Sequence, residues 1–462
     1  MPYDVLIRGG RVVLPSRGVV TADVAISGER IAAILAPGSA TGADVTVDAT
    51  GLHVLPGAID SHVHWGYRGD FAVQARSDSR AAALGGVTTA HLLHRIPPGH
   101  FEEFRRLGES CSIVDFIFTP TVIDEATAAI VDEMIVDWGC PSVKFYLGYR
   151  GMPDAAPGTE WNQLTDGLMV EVLERMARYD GTLACVHAEN AEILARTVAR
   201  GIAGGRQGLG AWEEANPGLA EAEGIQRAAL FAEHAGLPLY VVHLGGRDAL
   251  RALARAKAHW PRIYGETCPH YLYHNVDSSP VVKFSPPVRR QADNEALWDA
   301  VRSGLVDCIG SDNAPTLASA KEGSIWETLR GGPGAGLTLP FVLSEGVHRR
   351  GLALERAVAL TSTNAARLFG LYPRKGTIQV GSDADLALVD LNLEKTVSRE
   401  LFDTWSDYSM YGGLRLRGWP VITMLRGRVV ARDGVAQVDP GYGRFLPRTA
   451  GLKPATNHPL HL

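Results

Sequence analysis

Two histidines one residue apart, His62 and His64 in the run GAIDSHVHW (57–65), are the strongest chemical signal in this sequence. In an extended strand, residues i and i+2 face the same way, so both imidazoles point into one space. A lone histidine is more often a satisfied core residue, but two on one face, with Asp60 just before them, favour a metal ion. His187 ends LACVHAEN, His243 ends LYVVHLGG and Asp312 ends VDCIGSDNAP, each following a strongly apolar run. Singly, each is a polar residue at the end of a strand. Together, four neutral imidazoles and one carboxylate make a nitrogen and oxygen set suited to zinc or a similar transition metal. Lys144, in PSVKFYLGY, is the odd member, because an ammonium aimed at a metal would be repelled by it. It is neutral, or has become an anion, or pairs with a carboxylate. A Schiff-base lysine fits poorly among so many histidines.

The elements that must position these residues follow from apolar patterning. Residues 4–55 read as short strands punctuated by glycine and proline, as in a small β-module. From Val54 onward, eight strand candidates (54–64, 87–93, 113–119, 142–147, 182–187, 238–243, 262–268 and 306–312) alternate with helical stretches such as 124–138, 167–179, 221–235, 247–259 and 293–303. Eight such units are the count of a (β/α)8 TIM barrel, whose active site lies at the C-terminal mouth of the strands. After Phe369 the pattern returns to strands, in GTIQVGSDADLALVD and VITMLRGRVVARDG, the latter similar to the opening IRGGRVVLP. The expected organisation is an α/β fold with a small β-sandwich built from both chain ends. Its parts are 1–54 (sandwich, first part), 55–371 (metal-binding catalytic barrel), 372–446 (sandwich, second part) and 447–462 (a loose tail).

Composition limits the alternatives. The 462 residues are 46% apolar and 21% charged, with a net charge of −6, as in an ordinary globular chain. The arginines are scattered, which argues against a nucleic-acid partner. No apolar run is long enough to span a membrane, and the N-terminus does not read as a signal peptide. Five widely spaced cysteines fit buried thiols in a reducing compartment better than a disulfide framework. A cytoplasmic location is expected.

HVH after the first barrel strand, lysine on the fourth, histidines on the fifth and sixth and aspartate on the eighth resemble the amidohydrolase superfamily. More narrowly, they resemble its cyclic amidohydrolases: hydantoinases, dihydropyrimidinases, allantoinases and dihydroorotases. VHAEN (186–190), ETCPHYL (266–272), SPPVR (285–289), GSDNAP (310–315) and KGTIQVGSDADL (375–386) extend the resemblance over nearly the whole chain. It implies two divalent metal ions, expected to be Zn2+, bridged by Lys144 carboxylated on its ε-nitrogen. His62 and His64 would bind the more buried ion and His187 and His243 the second. Asp312 would ligate the buried ion and shuttle a proton. The implied reaction is ring opening of a cyclic amide by a metal-bridging hydroxide, with no organic cofactor and a homotetramer or homodimer as the assembly. The chemistry is sound in itself, since two divalent ions make a bound water acidic near neutral pH and a carboxylate can relay its proton to the departing nitrogen.

The resemblance also bears on the substrate. Tyr149, five residues after Lys144, matches a tyrosine of hydantoinases and dihydropyrimidinases placed to stabilise an oxyanion. Ser285 matches a residue that holds the substrate's ring amide, though it also reads as a turn serine before two prolines. Allantoinases generally lack the tyrosine, yet GGPGAGLTLP (331–340) and the C-terminal module look closer to allantoinases and L-selective hydantoinases. Allantoinase is therefore the alternative. Dihydroorotase is a weaker one, because Gly66 stands where that group carries an arginine and nothing in the sequence aims Arg68 inward. Asn313 replaces a common histidine and is expected to hold Asp312. Arg330 replaces an asparagine, and either favours a carboxylated or more polar ring or faces solvent. Loops with Trp65, Tyr67, His91, His94 and Arg95 are expected to shape the pocket, and most of the other histidines to lie at the surface or in loops. A metal-less scaffold would have lost part of the ligand set, and a mononuclear deaminase would not need Lys144.

Overall fold

The protein is described by a computed structural model covering residues 3–15, 17–40, 42–149 and 162–452. Five strands open the chain: β1 (Tyr3–Leu14), β2 (Gly18–Ser27), β3 (Arg30–Leu35), β4 (Ala43–Asp48) and β5 (His53–Pro56). Eight more form a second sheet: β6 (Ala58–Val63), β7 (Val87–His94), β8 (Asp115–Val122), β9 (Ser142–Tyr146), β10 (Leu183–His187), β11 (Leu239–Val241), β12 (Ile263–Thr267) and β13 (Cys308–Ile309). These pair in chain order, every neighbour parallel. A parallel bridge between Val63 and Asn313 joins the last strand to the first. With helices between the strands, this is the (β/α)8 barrel. The chain then returns through β14 (Leu386–Thr396), β15 (Arg415–Leu425), β16 (Arg428–Arg432) and β17 (Val435–Ala436) to the first sheet.

The run 54–64, expected as one strand, is two. Its first part, β5, pairs parallel with β1 and antiparallel with β14, so it belongs to the sheet built from both chain ends. Only after Gly57 does the chain enter the barrel. A Cβ there would lie 2.2 Å from Thr88 Oγ1, so the crossing point has room for glycine alone. The stretch 376–385, read as strand-like, is irregular up to Leu386 because its aspartates turn inward. Lys375 Nζ donates to Asp115 Oδ2 at 2.8 Å and also to Asp385. The Arg426 guanidinium pairs with Asp115, and its backbone N–H donates to Asp385 Oδ1 at 2.8 Å. This buried cluster joins the start of barrel strand β8 to the mixed sheet, which explains what KGTIQVGSDADL is for.

Apolar residues within the barrel strands, among them Ile59, Ile117, Leu183, Cys185, Tyr240 and Cys308, form one cluster with Phe369, Leu371 and Leu446. Tail residues 447–452 are not loose. Arg448 is buried and donates to Ser142 Oγ at 2.8 Å and to the Phe118 carbonyl, drawn in because those groups need a donor. All five cysteines are buried free thiols. Among the described residues, no helix is long and apolar enough to cross a membrane.

Candidate metal centre and active site

His62 and His64 straddle the end of β6, and their Nε2 atoms lie 3.1 Å apart. Each Nε2 is 3.3 Å from Asp312 Oδ1. The opposite nitrogens fix the tautomers: His62 Nδ1 donates to Glu266 Oε1 at 2.8 Å, and His64 Nδ1 donates to the Leu93 carbonyl at 2.9 Å. Burial holds the His62 imidazole well below its ordinary pKa, so that ring is neutral. With protons on Nδ1, both Nε2 atoms turn lone pairs toward each other and toward a carboxylate oxygen. Three converging lone pairs repel unless a cation lies among them, so the residues fit a metal ion.

The second pair has the same logic with the ring reversed. His187 Nε2 donates to Glu189 Oε2 at 2.7 Å, which leaves its Nδ1 facing His243 Nε2 at 2.9 Å. His243 Nδ1 is buried without a hydrogen-bond partner among the described residues. The two pairs adjoin, the His62 and His243 rings stacking at 5.4 Å.

Lys144, on β9, is fully buried, and its Nζ has no hydrogen-bond partner among the described residues. It lies 5.0 Å from the Tyr146 ring centroid. Burial pushes the amine down to about 8, against the pull of Glu266 and Asp312. Its charge is close enough to act on His62, His187, His243 and Asp312.

Asp312, His243 and Tyr149 have φ of 47°, 41° and 66°, in the left-handed region that non-glycine residues avoid. Such residues cost on the order of 1–3 kcal/mol each and persist only where the surroundings fix them. Here the strain re-aims side chains. His243 and Asp312 both lie past the last paired residue of their strands, β11 and β13.

These groups, Lys144 excepted, line a cavity of about 730 Å³ that also includes Tyr149, Ser285 and Arg330. That is ample for a small heterocycle with a substituent. Tyr149 packs on His187, ring centroids 4.6 Å apart, and burial keeps its phenol protonated far above the usual range. Ser285 Oγ is buried with no hydrogen-bond partner among the described residues. Arg330 does not face solvent: its guanidinium packs between the Tyr149 and Trp212 rings, 5.1 and 5.0 Å from their centroids. Arg68 also lines the cavity, beside Tyr67, although nothing in its sequence surroundings aims it inward.

Other expectations change. Asn313 turns away from Asp312 and donates to Asp78 Oδ2 at 2.9 Å, while its oxygen accepts from the Gly334 and Ala335 amides. It is a brace between the first barrel helix and the 331–336 loop. His91 is not at the mouth but buried against Phe369 and Thr119, because only one face of β7 meets the cavity. His53, His270 and His274 are buried rather than superficial; His270 stacks on Phe284 at 3.8 Å. Two residues had no assigned role: Glu189, in VHAEN, and Glu266, in ETCPHYL. The signal is an acid inside a strand run for Glu266 and one just past a strand end for Glu189, and either must have partners when buried.

Comparison with known proteins agrees with this arrangement. A model of the amidohydrolase family matches residues 53–430. An L-hydantoinase of Paenarthrobacter aurescens is 33% identical, covering 96% of this chain and 98% of its own. An allantoinase of Deinococcus radiodurans is 34% identical, covering 97% of this chain and 100% of its own. Among solved structures, the L-hydantoinase (dihydropyrimidinase) from Arthrobacter aurescens superposes with a TM-score of 0.90 at 32% identity, over 96% of this chain and 100% of that one.

Proposed function

The chain belongs to the amidohydrolase family, and from that membership we propose that it is a hydrolase that opens the ring of a cyclic amide or ureide, most like a hydantoinase or dihydropyrimidinase. The observation that carries this reading is the convergence of His62 Nε2, His64 Nε2 and Asp312 Oδ1 within 3.3 Å of one another. His62, His64 and Asp312 would hold one divalent ion and His187 and His243 a second, both expected to be Zn2+. When bound, such ions polarise a carbonyl and make water acidic near neutral pH.

The residues supply the rest. Lys144, with a pKa near 8, has a neutral amine fraction at physiological pH that can add to carbon dioxide. The nitrogen lone pair forms the new N–C bond as one C–O π bond opens onto oxygen, and the amine gives up one proton, so the neutral amine becomes a carbamate anion that would help to hold the ions rather than repel them. Burial raises the Asp312 carboxyl, but positive charge at the centre outweighs it and holds it below its ordinary value. It is thus ionised and able to take a proton from the attacking water and give it to the departing ring nitrogen. The protonated phenol of Tyr149 is suited to donate to the oxyanion. The unpartnered Ser285 hydroxyl suits a ring amide.

Allantoin hydrolysis is the second reading, favoured by allantoinase relatives as similar as the hydantoinases. Tyr149 argues for the first. Metal-replete enzyme grown with bicarbonate should be assayed on hydantoin, both enantiomers of a 5-aryl hydantoin, dihydrouracil, allantoin and dihydroorotate, with Lys144→Ala as control. Turnover of hydantoins or dihydrouracil, lost in the variant, supports the first reading. Turnover of allantoin alone supports the second, and dihydroorotate alone would move the role of anion binding to Arg68 or Arg330. A homotetramer or homodimer belongs to the same proposal and is read by sedimentation.

A further inference from the structure

Glu266 is a fully buried acid in hydrogen-bond contact with one of the proposed metal-binding histidines, and the reaction above does not use it. Each of its oxygens has two donors. Oε1 accepts from His62 Nδ1 at 2.8 Å and from the His243 backbone N–H at 3.3 Å. Oε2 accepts from Ser61 Oγ at 2.5 Å and from the Tyr240 hydroxyl at 2.7 Å. The carboxylate is therefore saturated by protein donors and faces the back of the centre, not its ligand side.

Those donors come from two distant parts of the barrel. Ser61 and His62 lie on β6, while Tyr240 and His243 lie on β11 and just after it. Glu266 itself is on β12, next to β11. The neighbouring strand leaves room for this: a Cβ on Gly310 would lie 2.7 Å from both Glu266 Oε2 and Ser61 Oγ. The two contacts on Oε1 differ in kind. One fixes which nitrogen of His62 carries the lone pair. The other fixes the backbone of His243 at the left-handed turn that aims its ring.

We infer that Glu266 is a positioning residue that ties the two metal subsites together, one carboxylate oxygen setting the His62 tautomer in the first and the His243 backbone in the second. The inference rests on the binuclear reading above. Removing the charge loosens His62, because a neutral acceptor is a weaker partner for Nδ1–H. It loosens His243 as well, although that ring lies in the other pair. Loss at one subsite is therefore accompanied by loss at the other.

The test uses full-length wild-type, Glu266→Gln and Tyr240→Phe chains loaded with zinc alone. Each is dialysed against a graded series of zinc buffers, zinc per chain is counted by atomic emission, and the Tm of the metal-free chain is recorded beside it. For Glu266→Gln, both ions should require free zinc roughly 10- to 100-fold higher than wild type, with the metal-free chain still folded. Tyr240→Phe, which removes one donor that holds Oε2, should shift both ions in the same direction by a smaller factor. The inference is overturned if Glu266→Gln, or Tyr240→Phe should the first not fold, holds both ions as wild type does. It is equally overturned if one ion leaves early while the other keeps wild-type affinity. A wild-type chain that holds no zinc removes the binuclear reading and this inference together, whereas two ions in the wild type with unmoved variants remove the inference alone.

Discussion

At the scale of single residues, the centre works by assigning lone pairs. Glu266, the Leu93 carbonyl and Glu189 each take one ring proton and thereby aim the opposite nitrogen of His62, His64 and His187 inward. Two consequences are measurable. Tyr149→Phe keeps the ring on His187 and removes one donor, so kcat/KM should fall about 10²- to 10³-fold with zinc content unchanged. Asp312 is held below the ordinary carboxylate range, so it is a base at neutral pH and loses that capacity as pH falls through its pKa. A pH profile should show the acid limb below the ordinary carboxylate value of about 3.9, while Asp312→Asn should lower kcat by roughly 10²- to 10⁴-fold at every pH. Much of this centre was legible. The period of two in HVH and the apolar runs before His187, His243 and Asp312 pointed to the residues that meet at this one cavity. Glu266 was not assigned, because a sequence shows an acid in a strand but not the four donors that gather on it. Asn313 was misjudged for a related reason: adjacent residues at a strand end point opposite ways, and the left-handed turn at Asp312 sends its neighbour toward Asp78.

At the scale of elements, the buried cluster of Asp115, Lys375, Asp385 and Arg426 sets how the barrel sits on the mixed sheet. Burial raises the Asp115 carboxyl, yet Lys375 and Arg426 outweigh it and leave it below its ordinary value. A carboxyl depressed in the folded state contributes stability that is fully present above its unfolded pKa of about 3.9 and is lost as pH falls through the folded value. Asp385, raised mainly by burial, contributes in the opposite sense as pH rises. Thermal melts should therefore fall on the acid side of pH 4. Asp115→Asn should flatten that acid loss and cost about 3–5 kcal/mol at pH 7, since two buried cations lose their partner. Calorimetry at pH 7 and pH 3.5 checks both. The eight barrel strands could be counted from sequence because parallel strands buried on both faces read as continuous apolar runs. The division of 54–64 at Gly57 could not, because β5 is apolar for the sake of β14, which lies far along the chain.

For the molecule as a whole, the proposed ions would belong to the folded state alone. The ligands come from β6, β10 and the segments after β11 and β13, and an unfolded chain cannot gather them. Free zinc at about 1,000 times the dissociation constant adds roughly 4 kcal/mol to the folded state. Chelation should thus lower the Tm and abolish turnover, and zinc with bicarbonate should restore both. Scanning calorimetry with and without chelator reads it, and a Tm indifferent to metal would contradict the assigned centre.

The pairing of β5 with β14 also sets a schedule for synthesis. Pro56 meets Leu386 in that ladder, roughly 330 residues later. At about 5–20 residues per second, the first half of the mixed sheet waits on the order of 15–70 s outside the ribosome with β5 unpaired on one side. An open strand edge of that duration recruits neighbours. Nascent chains stalled before residue 386 should therefore be protease-sensitive in their first 56 residues and depend on a chaperone, and that dependence should end once β14 has emerged.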